Sequence, residues 1–348
     1  MGIKRLIILF LLACSLAVGA AFPFGASAAD SEADGPGALF CKGNVGLGPL
    51  NLASQSPFQS LRLVLTPRPP EILPSGDFEA QVIETLSNVW SFKEDKYMLD
   101  YEMLTSRLDV AYGLTDGFLV ELAFEDKRYF GGILDGFISD FHDVFSVDQN
   151  SRDVYENGAT QVVILDREKN KLISWKGRSA AYSQSLAVTL QHNVTCGGQW
   201  LPALSWAVTA RHTFWDADEI DYDRPFDIGV SLAAAKKFGD FYAYVAPGFV
   251  WYGADRIGDI VLTSTQASLL LGLEWHFSPS WSLLLQYLAI EGACENLGPF
   301  SEASHEVSLG FKTRLGKHYL LEAGLLENII VYANSPDFGV HAGLTRRF

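Results

Sequence analysis

The chain has 348 residues, of which 48% are hydrophobic and 19% are charged, which suits one large β-domain or two average globular domains. Beyond the extreme N-terminus, no apolar run reaches 18 residues, and this excludes a helical membrane protein. The formal net charge is −15, and the chain lacks the clustered Lys and Arg that a phosphate-binding surface needs, so we expect no nucleic-acid partner.

The N-terminus has the pattern of a secretory signal peptide. Lys4 and Arg5 precede an apolar core at 6–18, and Ala26-Ser27-Ala28 forms a small-residue cleavage site. We therefore expect residues 1–28 to be removed after export. Cleavage takes away two of the 26 basic residues and none of the 41 acidic ones, so the mature chain has 24 against 41 and a net charge of −17.

The rest of the chain is dominated by alternation of apolar with small or polar residues. In the last segment, Phe338, Val340, Ala342 and Leu344 alternate with Gly339, His341, Gly343 and Thr345. This period of two over about ten residues is typical of a tilted membrane-spanning strand. The same pattern predicts twelve strands, near 77–91, 97–112, 117–127, 182–194, 203–215, 226–237, 241–252, 263–277, 281–291, 305–315, 319–328 and 338–348.

The predicted connections alternate in length. Short turns lie at 113–116, 238–240, 278–280 and 316–318, and longer loops lie at 128–181, 216–225, 253–262, 292–304 and 329–337. Outer-membrane barrels have short periplasmic turns and long outer loops, and a lipid-bathed sheet must close because unpaired backbone groups are costly in lipid. We predict an all-β fold, a closed antiparallel transmembrane β-barrel over 77–348, with a periplasmic segment at 29–76. A secreted two-sheet sandwich is the alternative.

Three cysteines remain after cleavage. The predicted topology puts Cys41 and Cys196 on the periplasmic side and Cys294 in an outer loop, so Cys41 and Cys196 are the one pair that could form a disulfide. Cys294 is expected to be a free thiol. No metal or redox motif matches the cysteine spacing. Lipid attachment at Cys14 is a weaker alternative, because it would leave an apolar stretch on the mature chain.

Four long stretches resemble a known bacterial family. They are GPLNLASQSPFQSLRLVLTPRPP (48–70), GGILDGFISDFHDVFSVDQNSRD (131–153), DFYAYVAPGFVWYG (240–253) and ENIIVYANSPDFGVHAGLTRRF (327–348). Together they resemble the family called domain of unknown function 3187 over most of the mature chain. The resemblance implies an outer-membrane barrel of unknown role, with no assigned site residues.

The longest outer loop carries a different pattern. In Ile133–Phe145 the apolar and polar residues fall on different helical faces, and Gly131 and Gly132 precede it. The pattern predicts a short amphipathic helix, either packed on the barrel rim or folded into the lumen as a plug. The plug hypothesis involves Asp135, Phe137, Asp140, Phe141, His142 and Asp143. Further on, 161–165 and 171–175 are predicted to form an extra hairpin outside the membrane.

Strand parity predicts which side chains face the lumen. The charged or polar residues opposite the apolar face are Glu79, Gln81, Arg107, Asp109, Glu121, Glu274, Lys312, Arg314, Glu322 and Arg347. Such a mixture could form a salt-bridged interior that fills itself, or it could line a channel. Small residues recur on the same face, at Gly310, Gly324, Gly339 and Gly343. They leave part of the lumen unfilled by wall side chains.

These patterns favour a narrow channel or facilitator for small solutes in the outer membrane of a Gram-negative-type bacterium. An outer-membrane lipid hydrolase is an alternative, although no nucleophile motif is present, and a structural or adhesive barrel is another. The expected partners are outer-membrane lipid, the barrel-insertion machinery, for which Phe348 would be the C-terminal signal, and a small solute. We expect no catalytic residue, metal or cofactor.

Overall fold

The computed structural model describes residues 41, 44–132, 134, 160–165, 170–176, 180–217 and 222–348. The predicted signal peptide at 1–28 lies outside these residues. The predicted loop helix at 133–145 also lies outside them, with the exception of Leu134, and this includes every residue of the plug hypothesis.

Strands make up most of the described chain. They are β1 (Phe78–Lys93), β2 (Tyr97–Thr115), β3 (Phe118–Phe130), β4 (Gln161–Leu165), β5 (Lys171–Lys176), β6 (Ala180–Thr195), β7 (Ala203–Asp216), β8 (Phe226–Phe238), β9 (Phe241–Trp251), β10 (Arg256–Ile257), β11 (Ile260–Val261), β12 (Thr265–Ser278), β13 (Trp281–Ile290), β14 (Ser304–Leu315), β15 (Tyr319–Asn328) and β16 (Phe338–Arg347). Short 3-10 turns cover Gln59–Leu61, Gly298–Ser301 and Tyr332–Asn334. Within the described residues, no helix is long and apolar enough to cross a membrane.

Twelve of these strands form a closed antiparallel barrel, as the sequence predicts. Neighbouring strands pair in the order β1, β2, β3, β6, β7, β8, β9, β12, β13, β14, β15 and β16, and β16 pairs with β1 to close the ring. The predicted strand ends agree with the observed ones to within three residues. The predicted hairpin is also present, as β4 and β5, and β4 extends the sheet by pairing with the outer end of β2.

The two faces of the barrel differ in chemistry. Exposed apolar side chains point outward at alternate positions, among them Leu108, Val110, Leu122, Val188, Val208, Val230, Leu271, Leu285, Leu309 and Leu344. The intervening positions point inward and carry polar or small side chains, such as Asp109, Glu274 and His341. An outward apolar face is stable in lipid, where the closed ladder satisfies the backbone groups. Following the rule for such barrels, we name the short-turn end periplasmic and the long-loop end outer.

The ring closes at its periplasmic end through the two chain-terminal strands. The Phe348 ring stacks on the Phe78 ring with centroids 4.3 Å apart, and the Phe348 N–H donates to the Phe78 carbonyl at 2.9 Å.

We predict that Phe348→Ala lowers the folded, heat-modifiable fraction in membranes, because it removes this stack and the terminal aromatic. Tyr319→Ala, at another aromatic of the same end, is the control. Equal assembly of both variants would show that Phe348 carries no insertion signal.

The outer end of the barrel is covered by a buried apolar cluster. It joins the β4–β5 hairpin to the outer loops and includes Tyr97, Tyr101, Val162, Ile164, Ile257 and Phe300. Phe58 and Leu61 belong to the same cluster. These two residues come before β1 in the sequence, and β1 begins at the periplasmic end. Phe58 and Leu61 nevertheless lie at the outer end of the barrel. The chain before β1 therefore passes through the barrel.

The prediction that residues 29–76 form a periplasmic segment is wrong for the residues of this range that the structure describes. Residues 44–76, which we call the inner segment, lie in the lumen, and most of their side chains are buried. The physical reason is composition. Between 44 and 76 the charged residues are Arg62, Arg68 and Glu71, so the segment is too apolar for a solvated linker.

Candidate functional site

The inner segment enters and leaves the lumen at the periplasmic end. A disulfide joins Cys41 to Cys196 in the turn between β6 and β7, and this is the one pair that the predicted topology allows. From there a rising arm (44–58) reaches the outer end, the 3-10 turn Gln59–Leu61 reverses the chain, and a descending arm (62–76) returns to β1. At the bottom, the Gly76 N–H donates at 2.9 Å to the carbonyl of Gly113, which lies near the periplasmic end of β2. Both ends of the segment are thus fixed to the periplasmic rim.

Carboxylates of the barrel wall accept hydrogen bonds from the backbone of the inner segment. The donors and acceptors are Leu47 N to Glu274 (2.8 Å), Asn51 N to Glu322 (2.9 Å), Gln55 N to Glu306 (3.4 Å) and Leu63 N to Asp227 (2.9 Å). The Ser54 hydroxyl also donates to Glu306 at 2.5 Å. An extended chain that pairs with no strand has N–H groups without backbone acceptors. The wall side chains supply these acceptors.

Wall donors satisfy the carbonyl groups of the same segment. The bonds are Lys312 to the Pro49 oxygen (2.6 Å), Lys127 to Ser60 (2.5 Å), Arg211 to Leu61 (3.0 Å), Tyr252 to Leu63 (3.1 Å), Gln191 to Pro69 (2.8 Å) and Asn193 to Pro70 (2.8 Å). The wall therefore contacts the segment mainly through its main chain, by side chains from β3, β6, β7, β8, β12, β14 and β15 and by Tyr252, which follows β9.

Arg62 fixes the apex of the segment to the outer loops. Its guanidinium lies 3.3 Å from the centroid of the Tyr252 ring, and its Nη1 donates to the Ala293 carbonyl at 3.3 Å. The side chain is 1% exposed. Desolvation strengthens a cation–π contact, so Arg62 stabilises the apex beneath the apolar cluster.

Wall glycines make room for the rising arm. A Cβ atom at Gly310 would lie 2.8 Å from Leu50 Cδ1, and one at Gly324 would lie 3.0 Å from the same atom. Leu50 is fully buried against Leu284 and Leu326. The space that the sequence predicts on the inner face is occupied at these two glycines by the N-terminal segment. The loop helix, for which the lumen was one of two predicted placements, lies outside the described residues.

Glu322 links three strands to the inner segment. Besides Asn51, it accepts from His341 Nε2 at 2.8 Å, and Lys312 Nζ lies 2.7 Å from its second oxygen. His341 Nδ1 lies 3.0 Å from the Thr85 hydroxyl, across the β1–β16 seam. Thr85, His341 and Glu322 contact one another in series, as the nucleophile, base and acid of a catalytic triad do. All three side chains are at most 3% exposed and covered by the segment, so the network is structural in this state.

A second charged network lies beneath the descending arm. Arg68 forms a bidentate ion pair with Glu121, with Nη1 to Oε2 at 2.9 Å, and Arg107 pairs with Asp109 at 2.7 Å. A cavity of about 40 Å³ adjoins these groups. This is room for a few water molecules.

The sequence-predicted lumen residues divide into three groups. Asp109, Glu121, Lys312 and Glu322 are buried in the two networks around the inner segment, and Glu274 is buried separately against Leu47, Tyr244 and His276. Gln81 accepts a bond from Asn51 at 2.8 Å, and Arg107 lines the cavity. Glu79 pairs with Arg347 at 2.5 Å near the periplasmic rim, where Arg314 is exposed. Lys312 is engaged by Pro49 and Glu322, two partners that the sequence did not suggest.

The thiol of Cys294 is free, as predicted, and it is buried in the apolar cluster at the outer end. Burial raises the pKa of this thiol, so it stays protonated and poorly reactive. No group of three or more His, Cys, Asp or Glu residues suited to a metal ion occurs in the part of the chain that the structure describes.

The family model for proteins of unknown function called DUF3187 matches residues 41–348. The chain belongs to this family. No curated protein matches this DUF3187 chain. Among solved structures, it is similar to the COG4313 outer membrane channel from Pseudomonas putida F1, with 14% identity and a TM-score of 0.52, over 82% of this chain and 100% of that one.

Two further solved structures are more distant from the DUF3187 chain. The NanC porin has 7% identity and a TM-score of 0.45, over 77% of this chain and 98% of that one. The toluene transporter TodX from P. putida has 8% identity and a TM-score of 0.34, over 79% and 89%. At these identities, the likeness to the COG4313 channel establishes the fold alone, that of an outer-membrane barrel.

Proposed function

We propose that this protein is a gated outer-membrane channel for small solutes, and that the inner segment is its gate. The observation that carries the proposal is how the lumen is closed. A twelve-stranded barrel is wider than side chains alone fill, and here a separate stretch of chain occupies the remaining space. The segment is not paired with any strand of the barrel. It can therefore leave the lumen while neighbouring strands stay hydrogen-bonded to each other.

The polar character of the attachment also favours a gate. The segment is held by hydrogen bonds to wall side chains, by the Arg68–Glu121 ion pair, by buried contacts of residues such as Leu50 and Arg62, and by the disulfide at Cys41. Each hydrogen bond to a charged wall side chain contributes about 1.5–3 kcal/mol net, and water can replace it in an open lumen. A plug held in this way can exchange between closed and open positions, whereas a non-transporting barrel would need a permanently filled lumen.

The disulfide provides the first test. We predict that Cys41→Ser with Cys196→Ser raises the open fraction in planar bilayers by about tenfold, which corresponds to about 1.4 kcal/mol, because the rising arm is no longer fixed to the rim. Swelling of liposomes in small sugars should rise in parallel. Cys294→Ser, at the buried outer thiol, is the matched control and should behave like the intact protein. Closed barrels in all three proteins would contradict the proposal.

A further inference from the structure

Positively charged side chains surround the cavity beneath the descending arm. They are Arg62 and Arg68 of the inner segment and Arg107, Lys127 and Arg211 of the wall. Among the described residues that line this cavity, Glu125 is the one acidic side chain. The cavity therefore lies between the inner segment and the wall, and both parts contribute positive charge to it.

The carboxylates at this level do not balance the cations. In the part of the chain that the structure describes, four carboxylates form ion pairs with these five cations, and they are Asp109, Glu121, Glu125 and Asp227. Five positive charges minus four negative charges leave one positive charge without a counterpart. A charge that is removed from water is costly unless an opposite charge pairs with it. The balance therefore indicates a place for one monovalent anion.

Arg211 has an incomplete set of partners. Its Nη1 lies 3.7 Å from the Asp227 carboxylate, and its Nη2 lies 3.9 Å from the Glu125 carboxylate, so neither contact is a hydrogen bond. Nε and Nη1 donate to other oxygen atoms, whereas Nη2 is buried and has no hydrogen-bond partner among the described residues. A buried N–H group without an acceptor costs free energy, and an anion in the cavity would supply the acceptor.

Hydroxyl groups line the cavity on the side of β6 and β7. The Thr189 and Thr209 hydroxyls lie 2.9 Å apart, and Arg68 Nη2 donates to the Thr189 oxygen at 3.4 Å. One of the two hydroxyl protons is used between the threonines, and the other remains available to an acceptor. Guanidinium and hydroxyl donors suit a halide or a carboxylate, and a volume of about 40 Å³ admits only a small one.

We propose that this cavity binds one small monovalent anion, such as chloride or acetate, and that the anion joins the inner segment to the wall. Binding itself does not require the segment to move. The effect on opening rests on the proposed function. Because departure of the segment separates Arg62 and Arg68 from Arg211, the bound anion stabilises the closed state.

The test compares anions on the purified intact protein at constant ionic strength. The midpoint of thermal unfolding in detergent is measured in chloride, in acetate and in gluconate, which is too large for the cavity. Chloride or acetate should raise the midpoint relative to gluconate, and the rise should saturate with concentration, as it does for a ligand that binds the folded state alone. The anion with the larger rise is the better ligand. Equal midpoints in all three anions would overturn the site and show that water alone fills the cavity.

Two variants remove the site in different ways. Arg211→Gln removes the cation with the unpartnered N–H group, and Ala123→Val fills part of the cavity while every charge stays in place. Both should lose the midpoint difference between the small anions and gluconate. Arg224→Gln, at an ion pair outside the lumen, is the matched control and should keep it. If Arg211→Gln fails to fold, Ala123→Val still decides, and a full anion effect in that variant would overturn the site.

Single-channel recordings separate the anion site from the gate. The better ligand should lower the open fraction of the intact protein relative to gluconate, and this difference should disappear in Ala123→Val. An anion effect on unfolding without one on the open fraction would overturn the stabilisation of the closed state by the anion. A protein that never conducts, in any of the three anions, would overturn the gated channel, whereas a saturable rise in the unfolding midpoint would still support the site.

Discussion

Replacing residues 44–73 with a short Gly/Ser linker is expected to turn the closed barrel into a stable channel. Both ends of the inner segment lie at the periplasmic rim, so a short linker can join Cys41 to β1 without crossing the lumen. The barrel ladder contains none of the deleted residues and should remain paired. We expect single-channel conductance to rise by at least about tenfold, because a twelve-stranded lumen is wider than its wall side chains fill.

Heat modifiability on gels provides the folding control for the linker variant. The wall groups Glu274, Glu306, Glu322 and Asp227 lose their backbone partners, but water can replace these in an open lumen. A folded variant that conducts no better than the intact protein would mean that other parts of the chain close the lumen. The inner segment would then be a structural filler.

Glu322→Ala is expected to have the largest effect of any single substitution in the lumen. It removes the acceptor for Asn51 N and leaves Lys312 and His341 buried without their carboxylate. Removal of one partner from a buried ion pair costs about 3–5 kcal/mol. The barrel should therefore unfold at a lower temperature, or open far more often, because water entering the lumen relieves the unpaired charge.

Two variants separate the charge of Glu322 from its hydrogen bonds. Glu322→Gln keeps an acceptor for Asn51 but removes the charge, and we expect an intermediate effect on opening and on thermal unfolding. Leu325→Ala, on the outward face of the same strand, should affect neither strongly. An unchanged opening rate and unfolding temperature in Glu322→Ala would show that the rising arm is held elsewhere.

The strands could be predicted because lipid imposes a simple rule on them. A barrel strand such as β16 must alternate between lipid and lumen, so its parity is visible in the sequence. The same topology placed Cys41 and Cys196 on one side of the membrane and so allowed the disulfide, whereas the short distance between them is visible only in the structure. The glycines at 310 and 324 correctly indicated unfilled space beside the wall.

The path of the inner segment could not be predicted from the same rule. Its backbone is satisfied by distant side chains, such as Glu274 and Lys127, so neither a strand period nor a helix period is imposed on its residues. One signal was available. A stretch of 33 residues with three charges is poor in charge for a solvated linker, and this indicates burial.

A reversible lock on the rising arm tests most directly whether the inner segment must move for the channel to open. Leu50→Cys and Gly324→Cys place two thiols where Leu50 now contacts the wall, in a protein that also carries Cys41→Ser and Cys196→Ser. The measurement is the open fraction of single channels before and after reduction. The account predicts a closed channel while the disulfide is intact and frequent openings after reduction. A locked protein that opens as often as the reduced one would contradict the gate.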